Sequence, residues 1–318
     1  MKSVGIIGCG SIANISYASI LNVWFKNADK YFYDVNDHAA KEMSSNLSGK
    51  SVGVDELIER SDFIIITTPP DAHYDLLVKA IQPGKTIICE KPFLLSYDQI
   101  MKIIGLTRSK NARVFAAHVR RFFPSLNLAR KFIETGLLGA ISKIDLFEGG
   151  RFSWESQSGY HYKSSSGGVL PDTGSHSIDS LLFVLGLDTK QADFEVISSK
   201  RTPEQEPSHV FEADFNIEGE NINAPASIHL SRRTFLSNKL NIYGENGIME
   251  IPLDLKNAVK VSTKSGATVL RENHPALTID DAFNRQFNNI LNEDGKLLDV
   301  TRFINTTILL EKLLTDPR

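Results

Sequence analysis

The first third of the chain alternates between two kinds of segment. Val4–Ile7, Lys30–Asp34, Asp62–Thr67, Thr86–Phe93 and Arg113–His118 are short runs dominated by apolar residues. Such runs suit strands covered on both faces, as in a parallel sheet between helical layers. Between them, apolar residues recur at helical spacing up to Phe25, from His38 to Asn46, up to Ile81, and after Ser96. Asp71 is placed to cap the third helix, and Ser96-Tyr97-Asp98-Gln99 has the capping-box pattern for the fourth. Strand and helix in turn predict a doubly wound α/β sheet. After His118 the pattern changes. Ser125–Thr135 reads as a helix stopped by Gly136, and Ile141–Phe147 opens a series of strands. Asp193–Ile197, Val210–Phe215, Ala226–Leu230 and Lys239–Tyr243 follow, and a turn at Glu245-Asn246-Gly247 returns the chain as Ile248–Ile251. Helices resume from Ile279. This half is expected to be α+β on an open, mostly antiparallel sheet, which puts the domains at residues 1–119 and 120–318.

Composition narrows the function classes. A length of 318 residues suits about two domains, and 42% hydrophobic with 23% charged residues is ordinary for a globular core. A net charge of −3, with Arg120-Arg121 only a pair, gives no field for nucleic acid. No run approaches the roughly 18 apolar residues of a membrane span. Met1-Lys2-Ser3 leads directly into a strand, which leaves no room for a signal peptide. Cys9 and Cys89 form neither a disulfide framework nor a metal-ligand spacing. They are expected to be packing residues in a reducing cytoplasm, with no metal site.

The candidate chemistry gathers at strand ends. Gly8-Cys9-Gly10-Ser11-Ile12-Ala13 follows the first strand and opens a helix. Gly8 permits a tight turn, Gly10 lets backbone approach a pyrophosphate, and Ala13 lets helix and strand pack closely. The phosphates would meet the N–H groups of the helix start. Asp34 ends the second strand, 24 residues past Gly10, where a carboxylate can accept from ribose hydroxyls. It would repel a 2′-phosphate, so NAD is expected over NADP, with NADP allowed. Thr67-Thr68-Pro69, Glu90-Lys91 and His118 end later strands. Ligands of doubly wound sheets bind at such ends. Lys91 can hydrogen-bond an oxygen whose carbon gains or loses a hydride. In the second half, Asp172 and His176 lie four apart after Pro171, on one face of a helix. His176 suits proton exchange near neutrality. Asp172 either orients it or holds a substrate hydroxyl. Asp179 continues the pattern, as readily for a core hydrogen bond as for a surface one.

With these residues in order, the chain resembles the glucose–fructose oxidoreductase / inositol dehydrogenase / rhizopine-catabolism (Gfo/Idh/MocA) family. The likeness rests on the glycine motif, Thr68-Pro69-Pro70-x-x-His73, Glu90-Lys91-Pro92, Arg121-Phe122-x-Pro124, Gly136-x-x-Gly139, and Gly167-Gly168 with Asp172-x-Gly174-x-His176-x-x-Asp179. Ala13 in place of a third glycine is the one departure. The resemblance implies a Rossmann domain and an α+β domain whose open sheet serves oligomerisation, as a homo-dimer or homo-tetramer. It implies hydride transfer between a nicotinamide and a secondary alcohol or ketone of a sugar, sugar nucleotide or cyclic polyol. It assigns catalysis to Lys91, Asp172 and His176. It puts Gly8, Gly10, Ser11, Ile12, Ala13, Asp34, Thr67, Thr68, Pro69, His73, Glu90, Lys91 and Arg121 on the cofactor side. Lys91, Asp172 and His176 fall on the substrate side, with Arg121, Trp154, Tyr160, His161 and Tyr162 more loosely. Two other functions fit the same fold: NAD-assisted cleavage of a glycosidic bond without net oxidation, and a non-catalytic dinucleotide-binding regulator.

Overall fold

The structure, a computed structural model, describes residues 2–151, 168–201, 209–272 and 277–316. Trp154, Tyr160, His161 and Tyr162 lie outside the described residues. The chain forms two compact units.

The first unit contains β1 (Ser3–Ile7), α1 (Ala18–Trp24), β2 (Asp29–Tyr33), α2 (Asp37–Asn46), β3 (Lys50–Ser51) and α3 (Val54–Arg60). It continues with β4 (Phe63–Ile66), α4 (His73–Ala80), β5 (Thr86–Glu90), α5 (Tyr97–Lys110) and β6 (Arg113–Ala117). The strands pair in parallel in the order β3-β2-β1-β4-β5-β6. The chain's direction across the sheet reverses between β1 and β4, so a crevice opens beyond their carboxyl ends. β1, β4 and β5 are buried at every position, as their unbroken apolar runs require. β3 and α3 have no counterpart in the expected elements, because two and seven residues are too few to show a period. Two expected caps are replaced. Asp71 lies within a short 3₁₀ turn, Pro70–Ala72, that precedes α4. Ser96 has extended backbone before α5, but its side chain makes no capping bond.

Residues 283–301 also belong to this unit, contrary to a single cut at 119/120. They come from α8 (Ile279–Asn292) and the chain after it. Phe283 and Phe287 meet Tyr17 edge-on, with ring centroids 5.6 and 6.0 Å away. Phe287 also contacts Phe25 and Phe63, and Trp24 Nε1 donates to Asn284 Oδ1 at 2.9 Å. The period of α8 announces an apolar face, but not which core that face covers.

The second unit is organised on a sheet of β7 (Ile141–Gly149), β8 (Ala192–Arg201), β9 (Val210–Gly219), β10 (Ile222–Ser231), β11 (Lys239–Gly244), β12 (Gly247–Pro252), β13 (Ala258–Thr263) and β14 (Gly266–Arg271). Their order is β14-β13-β12-β11-β7-β10-β9-β8, antiparallel except for the parallel pair β10–β7. Buried and exposed positions alternate along β9 and β10, so one face of the sheet is covered. The cover comes from α6 (Pro124–Glu134), α7 (Ser175–Val184) and α9 (Ile304–Thr315). The expected hairpin is β11–β12, closing at Gly244 opposite Gly247. The β13–β14 hairpin has no counterpart in the expected elements. β14 is an edge strand exposed at nearly every position, so it lacks the alternation that marks a half-buried strand.

Candidate active site

Gly8 follows β1 with φ +98°, and a Cβ there would stand 2.8 Å from the Thr67 carbonyl carbon and the Thr68 nitrogen. Both the backbone and the close approach of the loop after β4 require glycine. Gly10 differs: a Cβ there would meet nothing within 4 Å among the described residues. Its missing side chain leaves open space at the start of the helix that runs from residue 11 through α1, π-helical over Ala13–Tyr17. Ala13 is buried, while Ser11 and Ile12 are half-buried at the helix start. Asn14 braces the loop, its side-chain amide donating to the carbonyls of Cys9 and Gly10 at 3.0 Å each.

Asp34 ties the second strand to this loop. Its Oδ2 accepts from Cys9 N–H at 2.7 Å and its Oδ1 from Asn36 N–H at 2.8 Å. Each oxygen keeps a second lone pair for a ribose hydroxyl. Asn36 caps α2 through its side-chain oxygen. Thr67 spends its hydroxyl on the Gly8 carbonyl. Thr68 Oγ1 is buried and has no hydrogen-bond partner among the described residues. Pro69 is exposed. Open space over Gly10, a fixed carboxylate and an unsatisfied threonine hydroxyl fit a dinucleotide.

β5 delivers Glu90 and Lys91. Glu90 is buried; its Oε1 accepts from Tyr17 OH at 2.6 Å and its Oε2 from Lys91 N–H at 3.0 Å. Burial pushes the Glu90 carboxyl above its ordinary range, opposed by the bond from Tyr17 and the charge of Lys91. Burial, then the charge of Glu90, pushes the Tyr17 phenol well up. Lys91 is half-buried and precedes a cis bond to Pro92. His73, expected at the cofactor, is fully buried and faces backbone instead. Its Nδ1 lies 3.0 Å from the Pro92 carbonyl oxygen, and its Nε2 lies 2.9 Å from that of Thr68. It fixes the loop after β4 to the loop after β5. Burial holds its imidazole below the ordinary histidine value. His118 is buried just past β6.

In the second unit, Gly168 at φ +104° leads into a π-helical segment, Leu170–Gly174, that runs on into α7. Asp172 lies in the first and His176 in the second. Every residue of α7 is buried except His176, which is half-exposed. Asp172 Oδ2 accepts from Arg232 Nη2 at 2.5 Å. Ser177, next to His176, donates to Glu148 Oε2 at 2.5 Å, and Glu148 takes both terminal nitrogens of Arg120.

Arg121 is a correction. Expected on the cofactor side, it is 0% exposed inside the second unit. It donates to both oxygens of Asp179, at 3.0 and 2.6 Å, and to Asp188 at 3.3 Å, with the Phe303 ring 3.9 Å from its guanidinium carbon. Its charge is spent on the core, and Asp179 is the core hydrogen-bonding residue of the two readings open for it. Cys9 and Cys89 are buried free thiols, as expected. Burial, then the charge of Asp34, pushes the Cys9 thiol up to about 12, which leaves it inert. No cluster of metal-ligating side chains exists among the described residues.

Sequence reasoning missed Asn14, Tyr17, Arg120, Glu148 and Arg232. Tyr17, four residues past Ala13 on the glycine-loop helix, had a helical signal. Arg232 and Glu148 act across strands, and no local spacing announces them.

Two family models match the chain. Residues 2–118 match the oxidoreductase family, NAD-binding Rossmann fold, and residues 126–250 match the GFO/IDH/MocA C-terminal domain. The chain belongs to the Gfo/Idh/MocA oxidoreductase family, and its first unit is the NAD(P)-binding domain of that family. It is 28% identical over 197 residues to glucose-6-phosphate 3-dehydrogenase of Bacillus subtilis, covering 59% of this chain and 55% of that protein. It is 28% identical over 187 residues to inositol 2-dehydrogenase of Rhizobium meliloti, covering 57% and 54%. The chain thus spans about half the length of the curated relatives it matches. KijD10, a 3-ketoreductase from Actinomadura kijaniata solved with NADP and TDP-benzene, shares the fold, with TM-score 0.81 at 18% identity over 99% of this chain and 97% of that one.

Proposed function

We propose that the protein is an NAD-preferring dehydrogenase or reductase acting on a ring secondary alcohol of a sugar, sugar nucleotide or cyclic polyol. The glycine loop carries this reading most directly, because Gly10 keeps open a space that no described side chain fills. The relatives, which act on glucose-6-phosphate and on inositol, put ring alcohols first among substrates. Bound at the strand ends, the nicotinamide supplies or accepts the hydride.

Lys91, Asp172 and His176 are the proposed catalytic set. Lys91 donates a hydrogen bond to the reacting oxygen and offsets its developing charge. His176, the α7 side chain that reaches solvent, takes the hydroxyl proton in oxidation and returns one in reduction. Asp172 orients the substrate or His176. The preference for NAD rests on Asp34 and the three residues after it. Val35 is 92% exposed, and Asn36 and Asp37 offer no cation to a 2′-phosphate.

The same proposal covers setting and assembly. Two free buried thiols suit a reducing cytoplasm. Among the described residues, no helix is long and apolar enough to cross a membrane. The uncovered sheet face of the second unit is offered as the surface of a homo-dimer or homo-tetramer.

A panel of hexoses, hexose phosphates, sugar nucleotides and inositols, each with NAD and with NADP, tests the reading through nicotinamide absorbance. Turnover with NAD favoured is expected. Product formed with no net absorbance change would favour transient oxidation during glycoside cleavage. Cofactor binding without any turnover would favour a regulator.

A further inference from the structure

β7 and β10 are parallel neighbours and end together, with Leu230 opposite Glu148 and Ser231 opposite Gly149. Each strand end supplies a charged side chain that grips the helix of Asp172 and His176. Glu148 accepts from Ser177, one residue after His176. Arg232, the first residue past β10, donates to Asp172, four residues before it.

The arginine is buried and anchored at its backbone. Its side chain is 3% exposed and that of Asp172 is 16% exposed. Its N–H donates to the His209 carbonyl at 2.7 Å. The turn it opens is closed by Ser231 Oγ, which accepts from the N–H groups of Arg233 and Thr234 at 3.1 and 3.0 Å. A Cβ on Gly149 would stand 2.6 Å from the Thr234 carbonyl oxygen, so this turn lies hard against the end of β7. A buried guanidinium on an anchored backbone sets where the carboxylate it pairs with can sit.

We propose that Arg232 is a positioning residue: it holds Asp172 as an oriented carboxylate, and so fixes the helical turn that presents His176. The inference rests on the reading that Asp172 and His176 carry catalysis. It also divides the roles within that set. A carboxylate paired with a guanidinium has lone pairs for a substrate hydroxyl but no proton to give, which leaves proton exchange to His176 and Lys91. Among the described residues, charged groups facing Asp172 include Arg232 from the β10 end and Arg120, whose charge also feels Asp172 and is itself held by Glu148.

The test is a double-mutant cycle on the full chain with Arg232→Gln, Asp172→Asn and the pair together, with Arg232→Lys as the conservative variant. Rates across pH, NADH affinity and thermal midpoint are read for each. Removing a group that orients a reacting side chain costs about 10–100-fold in turnover. Arg232→Gln is expected to lose that much, to move the acid limb of its rate profile to higher pH, and to bind NADH as the parent does. Arg232→Lys should recover part of the loss. Arg232→Gln should cost little more in a chain already carrying Asp172→Asn. Additive losses in the pair, parental turnover in Arg232→Gln, or equal loss of rate and midpoint in Gln and Lys variants would each overturn the proposal. If Arg232→Gln does not fold, Arg232→Lys in both Asp172 backgrounds gives the same cycle. Parental turnover in Asp172→Asn and in His176→Asn would instead sink the catalytic reading. Loss there without loss in Arg232→Gln would sink only the role of Arg232.

Discussion

The segment from Asp172 to Val184 carries two arginine–carboxylate clusters made of the same groups, serving different ends. Around Asp179, Arg121 and Asp188 are wholly buried, with Arg130 and Arg302 adding to Asp188 at 2.9 and 2.7 Å. Around Asp172, the arginine is sealed but the carboxylate is 16% exposed. A sealed carboxylate can only hold the fold together. One that reaches solvent while its partner is buried can also meet a ligand. Residue types do not separate the two cases; burial does. The sequence pattern Asp172-x-Gly174-x-His176-x-x-Asp179 treats both aspartates alike.

Removing Arg121 should have the largest effect. Arg121→Met leaves Asp179 and part of Asp188 without their buried counter-charge, a loss of about 3–5 kcal/mol. Urea unfolding measures it, and a loss under about 1 kcal/mol would erase the distinction between the clusters. On the open side, His176→Asn should leave the unfolding midpoint in place while turnover drops by about 10²–10⁴-fold.

The two glycines of the loop sharpen the contrast between fold and function. Gly8→Ala forces a side chain into a left-handed backbone and against the loop after β4. Its unfolding free energy should fall by more than about 1 kcal/mol. Gly10→Ala meets no atom of the described residues within 4 Å, so its stability should hold while NADH affinity falls at least about tenfold, or about 1.4 kcal/mol. Equal stability in both variants would show that Gly8 is not under the constraint its φ implies.

The smallest effect expected is a pH dependence from His73. Burial lowers its folded value, so the native state keeps it neutral where the unfolded chain is already protonated. Stability should therefore fall as pH drops below the ordinary histidine value, and level off once the folded imidazole titrates. The slope contributed is at most about 1.4 kcal/mol per pH unit. Comparing chemical unfolding of the parent and His73→Gln across that window isolates the contribution. A parallel pair of curves would mean the imidazole is not refusing a proton.

Legibility in the sequence followed the reach of each interaction. Unbroken apolar runs and the glycine motif are local, and the parallel sheet with its strand-end residues was readable from them. So was the place of Asp34, although not its bond to Cys9. Arg121 misled because its matching motif does not show that Asp179 and Asp188, 58 and 67 residues away, meet it in the core. Arg232 reaches Asp172 across 60 residues, and Tyr17 reaches Glu90 across 73. Residues 283–301 return to the first unit through aromatic packing whose partner no period identifies.

The proposed mechanism is hydride transfer at a sugar or polyol carbon, with Lys91 polarising the reacting oxygen. Its most direct test supplies NADH deuterated at C4 of the nicotinamide, on each face in turn, with the keto form of the best substrate from the panel. The alcohol product is then weighed by mass spectrometry, for the parent and for Lys91→Met. One deuterium on the carbinol carbon from one face only, and a large loss of rate in the variant, are the expected results. Product without deuterium from either face would contradict hydride transfer, and labelled product at the parental rate from Lys91→Met would contradict the role of the lysine.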